Sequence, residues 1–197
     1  MSPSVPFLNY PEVLDGWVGG EKGFDPLNVT DALPVYLVRE AELKHGRVCM
    51  LATVGFAAQQ FVTLPGEKPT PNSLEAVYTA SPAAWAALLF LAGWIESSSY
   101  GGKITMLDMF EEDREPGNLG FGTNFIAGKS AEETKDIRLK ELNNGRLAMM
   151  AFGGMVHHNL VVKGPLFPLF PEGWVGPQYT WEIDSVMGGL QNQPVPP

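Results

Sequence analysis

Two glutamate–arginine motifs are the part of this sequence whose residue types and spacing could do chemistry. The motif Glu42-Leu-Lys-His-Gly-Arg47 recurs as Glu141-Leu-Asn-Asn-Gly-Arg146, at a constant offset of 99 residues. In each copy the glutamate and the following His or Asn are three residues apart, which places them on one face of a helix. The repeat therefore predicts two related helices that carry matching sets of polar groups.

The charged groups of both motifs need partners, because each motif precedes a long window without Asp, Glu, Lys or Arg. A charged side chain at bilayer depth costs about 2.5 to 3.5 kcal/mol on insertion scales unless it is paired. A two-fold axis between the helices predicts that Glu42 pairs with Arg146 and Glu141 with Arg47. Small residues on both helices would let the backbones approach closely. These are Gly46, Ala52, Gly55, Gly145, Ala148, Ala151 and Gly154.

The remaining oxygens of these glutamates leave two interpretations open. In the first, the ion pairs only hold two helices together, and His45 is a hydrogen-bonded core histidine. In the second, a carboxylate beside an arginine is a neutral, hard ligand for a Mg-type cation, and histidine is another ligand. The magnesium of a tetrapyrrole needs one axial donor from the protein, and the sequence offers single, dispersed donors. The candidates are Glu42, His45, Gln59, Glu96, Glu141, Asn144 and His158.

A di-iron carboxylate centre is the rival metal site, because Glu-x-x-His is half of its signature. Such a centre needs two of these motifs and two further glutamates on facing helices. The second motif reads Glu-x-x-Asn, and only Glu96 is spare in the apolar segments. The sequence therefore disfavours this enzyme, and it predicts no catalytic residue.

Composition argues against several other classes of protein. The 197 residues carry a formal net charge of −9, the wrong sign for a protein that binds nucleic acid. The single cysteine, Cys49, cannot form an internal disulfide, and no Cys/His cluster has zinc-type spacing. Charged residues make up 18% of the chain, against about 25% in soluble domains.

The positions of prolines, glycines and helix-capping residues predict where helices begin and end. They indicate an all-α membrane protein with one domain over residues 1–197. Its three transmembrane helices are expected at 35–64, 82–100 and 130–163, with the first and third crossed about a pseudo-two-fold axis. Residues 1–34 are predicted as a loop and 65–71 as a connector. The tail 164–197 contains a possible short amphipathic helix near Trp181.

The doubled motif resembles the first and third membrane helices of the chlorophyll-binding light-harvesting antenna superfamily, and Gly23-Phe-Asp-Pro-Leu27 resembles its N-terminal loop. The resemblance covers about residues 7–162. The short second helix and the sequence Glu-Leu-Lys-His-Gly-Arg resemble the chlorophyll a/c antennas of red-lineage algae, of the fucoxanthin or peridinin type, more than the green-plant proteins. Two positions depart from the family pattern. Leu88 replaces a glutamine ligand of some members, and Gly122-Thr123 replaces the second Asp-Pro.

The resemblance implies a multi-pass protein of the chloroplast thylakoid membrane that does no bond chemistry. It implies chlorophyll a, chlorophyll c and carotenoids as cofactors, the carotenoid being peridinin, fucoxanthin, diadinoxanthin or a related xanthophyll. Chlorophyll magnesium would be ligated at Glu42, His45, Glu96, Glu141, Asn144 and His158, and carotenoid end groups would meet Phe24, Asp25 and Pro26. Neighbouring antenna subunits, thylakoid lipids and a photosystem core are the implied partners, with a lean toward photosystem I. A photoprotective member of the same superfamily and a pigment-free helix scaffold are the alternatives.

Overall fold

The computed structural model describes residues 1–62, 72–99, 114–120 and 122–167. Those residues form helices and irregular segments without a strand, which confirms the all-α expectation for this part of the chain. The α-helices are α1 (Val29–Ala32), α2 (Val35–Ala58), α3 (Ser73–Thr79), α4 (Pro82–Ser99) and α5 (Ala131–Val162). Two short 3-10 turns, Glu12–Leu14 and Thr123–Phe125, lie in the segments before α2 and α5.

Helices α2 and α5 cross at two glycines. A Cβ on Gly46 would lie 2.9 Å from the Cα of Gly145, so only glycine allows the two backbones this close. Leu142 and Ala148 are buried beside the crossing, and Phe56 meets Phe152 edge-on with ring centroids 6.0 Å apart. The crossing predicted from the repeat is therefore present.

Two of the predicted interface glycines do not lie at the crossing. A Cβ on Gly55 or on Gly154 would meet nothing within 4 Å. Both positions are more than two turns past the contact, where the two helix axes have already diverged. The prediction that these two residues permit close approach is wrong.

Helix α2 begins after Pro34, as predicted, but it ends at Ala58 rather than at residue 64. Beyond Gln59 the backbone tightens to three-residue turns, since the N–H of Phe61 donates to the carbonyl of Ala58 at 2.9 Å. The carbonyl of Phe56 accepts the Ser73 hydroxyl at 2.8 Å. A side chain from α3 thus satisfies one carbonyl of the last turn of α2.

Helix α3 is an element that the sequence interpretation missed. The Asn72 side chain caps it by accepting from the N–H of Leu74 at 3.0 Å. Helix α4 then starts at Pro82, and the N–H of Ala84 donates to the Ser81 hydroxyl at 3.2 Å. The start of α4 agrees with the prediction of an N-cap serine followed by proline.

Helix α5 carries the predicted capping box. The N–H of Ser130 donates to a Glu133 carboxylate oxygen at 2.8 Å, and the N–H of Glu133 donates to the Ser130 hydroxyl at 3.2 Å. The helix ends at Val162, followed by Lys163 in a left-handed conformation with φ of 53°. The predicted amphipathic helix near Trp181 lies outside the described residues.

Of the helices in the described ranges, none is by itself both long and apolar enough to span a bilayer. Helices α3 and α4 meet that criterion as a pair, by length and composition, with a bend of 96° between them. Large apolar side chains are nevertheless exposed on all three long helices. They include Val48, Leu51, Val54, Leu89, Phe90, Trp94, Leu147, Met150 and Leu160.

Candidate functional site

Both crossed ion pairs are formed where α2 and α5 meet. The Nε of Arg146 donates to Oε1 of Glu42 at 2.7 Å, and the Nε of Arg47 donates to Oε1 of Glu141 at 2.7 Å. The two glutamate side chains are 24% and 33% exposed, respectively. Each carboxylate is therefore neutralised from the opposite helix while part of it still faces outward.

The two carboxylates differ in their second partner. Nη1 of Arg39 donates to Oε2 of Glu42 at 2.8 Å, so that both oxygens of Glu42 accept from arginine. Arg138 occupies the matching position in α5, but it donates to Glu115 at 2.7 Å. Glu42 is thus flanked by two guanidinium groups and Glu141 by one.

Arg39 also links this site to the N-terminal loop. Its guanidinium carbon lies 5.7 Å from the ring centroid of Trp17, within the range of a cation–π contact. Trp17 in turn meets the ring of Tyr36 edge-on at 5.1 Å. Burial of Arg39 at 9% exposure makes this arginine part of the core rather than of the surface.

Two loop glycines repeat the two-fold relation, and the sequence interpretation missed them. Gly19 has φ of +75°, and a Cβ there would lie 2.5 Å from the Leu142 side chain. Gly117 has φ of +79°, and a Cβ there would lie 2.5 Å from the side chain of Leu43. The segment before each helix of the crossing therefore packs on the opposite helix, at the leucine that follows the motif glutamate. The glycines themselves were the sequence signal for these two loop contacts, because a backbone with positive φ favours glycine.

Glu40 is a buried acidic residue beside the site that the sequence interpretation did not identify. Its side chain is almost completely buried, and it pairs with Arg114 at 2.8 Å and Lys44 at 3.6 Å. The N–H of Gly117 donates to its Oε2 at 2.5 Å. Nη1 of Arg47 donates to the Gly117 carbonyl at 2.6 Å. Gly117 therefore connects buried Glu40 with Arg47, the partner of Glu141.

His45 and Asn144 are exposed at matching positions one turn past the paired glutamates. Nδ1 of His45 lies 2.7 Å from the carbonyl of Ala41. Because a carbonyl oxygen only accepts, Nδ1 carries the hydrogen, and in the neutral ring this tautomer has its lone pair on Nε2, as in a ligating histidine. Asn144, whose side chain contains an amide oxygen, is exposed at the equivalent position of α5.

The other candidate donors lie away from the crossing. Glu96, near the end of α4, forms an ion pair with Lys44 of α2. Gln59 follows the end of α2, and its Nε2 donates to the Ser73 hydroxyl at 3.0 Å. His158 is half-buried in the second-to-last turn of α5. In the part of the chain that the structure describes, no three His, Cys, Asp or Glu side chains converge to hold a free metal ion.

The predicted end-group loop is held by Asp25. Its carboxylate accepts from the N–H groups of Val29 and Thr30, both at 2.9 Å, and from the Thr30 hydroxyl at 2.7 Å. Burial raises the pKa of Asp25, but these hydrogen bonds to its ionised form outweigh burial and bring the pKa below the usual value. Phe24 and Pro26 are exposed on either side.

A cavity of about 440 Å³ lies beside the Arg47–Glu141 pair. Helices α2 and α5 form one wall, and residues 115–119 with Gly122, Phe125 and Ile126 contribute to the other. Its lining includes Trp17, Leu43, Leu119, Phe125, Ile126 and Ile137.

Comparison of the sequence with known proteins assigns the chain to a family. Residues 10–160 match the family described as Chlorophyll A-B binding protein. The chain belongs to this family. The matched region contains both motifs, the two loop glycines and all five helices except the last two residues of α5, so the family resemblance seen in the motifs extends through the described fold.

Three relatives within the family illustrate its range. The chain is 32% identical to a chloroplastic chlorophyll a-b binding protein of Petunia hybrida, over 81% of the chain and 66% of that protein. It is 35% identical to a fucoxanthin-chlorophyll a-c binding protein of Isochrysis galbana, over 70% of the chain and 72% of that protein. It is 34% identical to light-harvesting complex stress-related protein 1 of Chlamydomonas reinhardtii, over 81% and 69%. The match with the petunia protein thus spans about two thirds of that protein's length.

Within the family pattern, the structure also accounts for one departure. The second loop has Gly122-Thr123 in place of Asp-Pro, and Gly122 lines the cavity with φ of +82°. Glycine at this position permits the left-handed turn that places Phe125 in the cavity wall.

Proposed function

We propose that this protein is a light-harvesting antenna of the chloroplast thylakoid membrane, which holds chlorophylls and carotenoids and passes excitation energy to a photosystem. One observation carries the proposal. Two matched glutamates lie at a helix crossing, each neutralised by an arginine from the other helix and each partly exposed. That combination provides single, neutral oxygen donors at two equivalent places.

The residues fit the magnesium of a chlorophyll. A chlorophyll supplies light absorption and excitation transfer, and it needs one protein donor for its magnesium. Glu42, Glu141 and Glu96 each have a cationic partner, so that coordination would not leave an unpaired charge in lipid. His45 and Asn144 offer neutral nitrogen and oxygen donors on exposed faces, and His158 and Gln59 complete the proposed set.

The exposed apolar surface supports a membrane location with pigments as cover. The outward positions of the repeat match in pairs, Val48 with Leu147 and Leu51 with Met150, and all four are more than 60% exposed. A soluble monomer rarely exposes so much contiguous apolar surface. Three membrane-crossing segments, built on α2, on α3 with α4, and on α5, would place these side chains against lipid and pigment.

The cavity beside Glu141 is a suitable place for the end group of a carotenoid. Its walls are mainly apolar, and guanidinium groups of Arg47 and Arg138 stand at its edge to meet polar substituents. The loop of Phe24, Asp25 and Pro26 is the proposed end-group contact on the other side of the crossing. The names of the relatives favour chlorophyll a with either chlorophyll b or chlorophyll c. The sequence of the first motif, which resembles the fucoxanthin type, favours chlorophyll c.

Photoprotection is the second candidate function, because one relative is named a stress-related light-harvesting protein. Such a protein would dissipate excitation rather than deliver it to a photosystem core, for which photosystem I remains the favoured partner. The chlorophyll fluorescence lifetime of the isolated protein separates the two roles. Harvesting predicts a long lifetime at neutral and acidic pH, whereas photoprotection predicts a lifetime that shortens on acidification.

The decisive experiment compares pigment content in the wild type, His45→Leu and Glu141→Leu after gentle purification. We expect the wild type to contain chlorophyll and carotenoid, and each variant to lose one discrete and different fraction of the chlorophyll absorption. Asn143→Leu is the matched control, because Asn143 is exposed between the proposed ligands. A folded, helical and colourless wild type would refute the antenna proposal.

A further inference from the structure

The internal repeat is broken at the position where the unrepeated helix attaches. Lys44 follows Leu43 in the first motif, whereas Asn143 follows Leu142 in the second. The ammonium group of Lys44 forms an ion pair with Glu96 of α4 and lies 3.6 Å from a carboxylate oxygen of the buried Glu40. Within the described ranges, no helix stands beside α5 as α4 stands beside α2, and the matching residue of α5 carries no charge.

Helix α4 depends on polar contacts for its position. None of its eighteen residues, all of which the structure describes, is buried. At one end, the neighbouring α3 is tied to α2 by the hydrogen bond from Ser73 to the carbonyl of Phe56. Near the other end, the Lys44–Glu96 pair joins α4 to α2. In the described residues, the Lys44–Glu96 pair is thus a direct polar connection between α2 and α4, and the Ser73 hydrogen bond connects α2 to the helix that precedes α4.

Lys44 lies between two carboxylates, those of Glu40 and Glu96. Glu40 is already neutralised by Arg114 and by the N–H of Gly117. Among the described ion pairs, Lys44 is the cation that meets Glu96, and its side chain is 26% exposed against 46% for the glutamate. The pair is on the side of α2 away from the α5 crossing, next to an apolar helix where an unpaired carboxylate would be costly.

We infer that Lys44 is a positioning residue for the chlorophyll held at Glu96. Its ammonium group neutralises this carboxylate and directs it, as Arg146 and Arg47 do for the other two glutamates. The inference rests on the proposed antenna function and adds to it a site-specific counter-charge from a different helix. It also explains why the motif lysine is confined to the first copy.

The test is a double-mutant cycle on purified holoprotein, with pigment content and absorption spectra as the readout. Glu96→Leu first identifies the chlorophyll band that depends on this glutamate. We expect Lys44→Met to lose the same band, because the carboxylate then lacks its cation. Lys44→Arg should keep the band, and Asn143→Leu, the matched control in the second copy, should keep every band.

The rescue arm separates neutralisation from simple helix tethering. Glutamine at position 96 is a neutral ligand that needs no counter-charge, so Glu96→Gln should bind the chlorophyll equally well with or without Lys44→Met. If Lys44 only tethers α4 to α2, adding Lys44→Met to Glu96→Gln should instead lose the chlorophyll, since glutamine and methionine do not form an ion pair. If the Lys44→Met single variant fails to fold, the double variant tests neutralisation directly, because a folded protein with the chlorophyll bound is expected only if the unpaired Glu96 carboxylate caused the failure.

Two results would overturn the inference while leaving the antenna function intact. One is a Lys44→Met protein with the full wild-type spectrum. The other is a Glu96→Gln protein that binds the chlorophyll alone but loses it when Lys44→Met is added. A colourless wild type, by contrast, would refute the antenna proposal itself, so the two failures are distinct.

Discussion

Glu42 and Glu141 occupy the same place in the repeat, yet their carboxylates have different surroundings. Glu42 accepts from Arg39 and Arg146, while Glu141 accepts from Arg47 at one oxygen. The difference arises because Glu115 pairs with Arg138, the repeat counterpart of Arg39. Two chlorophylls held by these glutamates would therefore experience different local charge, and this offers a physical origin for different site energies.

The unequal burial of the two arginines leads to a stability prediction. Arg39→Met should lower the free energy of unfolding by about 2 kcal/mol, because a buried, charge-assisted hydrogen bond and the contact with Trp17 are lost. Arg138→Met is the matched control, and its more exposed pair should be worth less than about 1 kcal/mol. Denaturant titration of both variants in the same detergent measures the difference. Equal losses would show that Arg39 has no special role.

The sequence predicted the residues of the crossing better than those of the loops. The partners of Glu42 and Glu141 could be deduced, since a repeated motif and a two-fold axis leave one arrangement that pairs both charges. Glu40 could not be assigned in the same way, because its partners Arg114 and Gly117 are more than 70 residues away and belong to no repeat. Long-range loop contacts have no local signature in the chain.

At the level of the helices, small residues indicate that a close crossing exists without indicating where it is. Glycines recur through both helices, but only Gly46 and Gly145 are at the point of contact. The position of a crossing depends on the angle between two helix axes, and a pattern of small residues does not specify that angle. For this reason four glycines were predicted at the interface and two were found there.

The glycines themselves provide a test of the crossing. Gly46→Ala should lower the free energy of unfolding by about 1 to 3 kcal/mol, because the new Cβ would meet backbone rather than a movable side chain. Gly55→Ala, on the same helix but in open space, should be neutral or stabilising by up to about 1 kcal/mol through helix propensity. Thermal unfolding followed by circular dichroism would check both. Similar midpoints for the two variants would contradict the crossing geometry.

Helix ends followed local signals where local residues decide them. The start of α2 after Pro34, the Ser81–Pro82 start of α4 and the capping box of α5 were all predicted correctly. The end of α2 was predicted six residues too late, because the hydroxyl of Ser73 arrives from another helix to take a backbone carbonyl. Helix α3, which supplies that serine, lies just after a proline-rich connector that obscured it in the sequence.

For the described part of the molecule, two related halves form a frame to which the bent pair of α3 and α4 is attached. The loops at Gly19 and Gly117 each pack on the opposite helix of the crossing, so both halves interlock. Ion pairs join α2 to α5 at the crossing and α2 to α4 at Glu96, while many large apolar side chains of the long helices are exposed. The exposed apolar side chains are the feature that the proposed antenna function explains, because bound pigments and lipid would cover them.

The outward apolar surface gives the last prediction, which concerns the environment of tryptophan. In vesicles of lipids brominated on their acyl chains, a variant that keeps only Trp94 should be strongly quenched, because this side chain is 62% exposed on α4. A variant that keeps only Trp17 should be quenched much less, since its ring packs between Arg39 and Tyr36. Quenching is taken as the ratio to vesicles of the unbrominated lipid at equal pigment content, so that energy transfer to chlorophyll cancels. Equal ratios for the two tryptophans would show that α4 does not face the acyl chains.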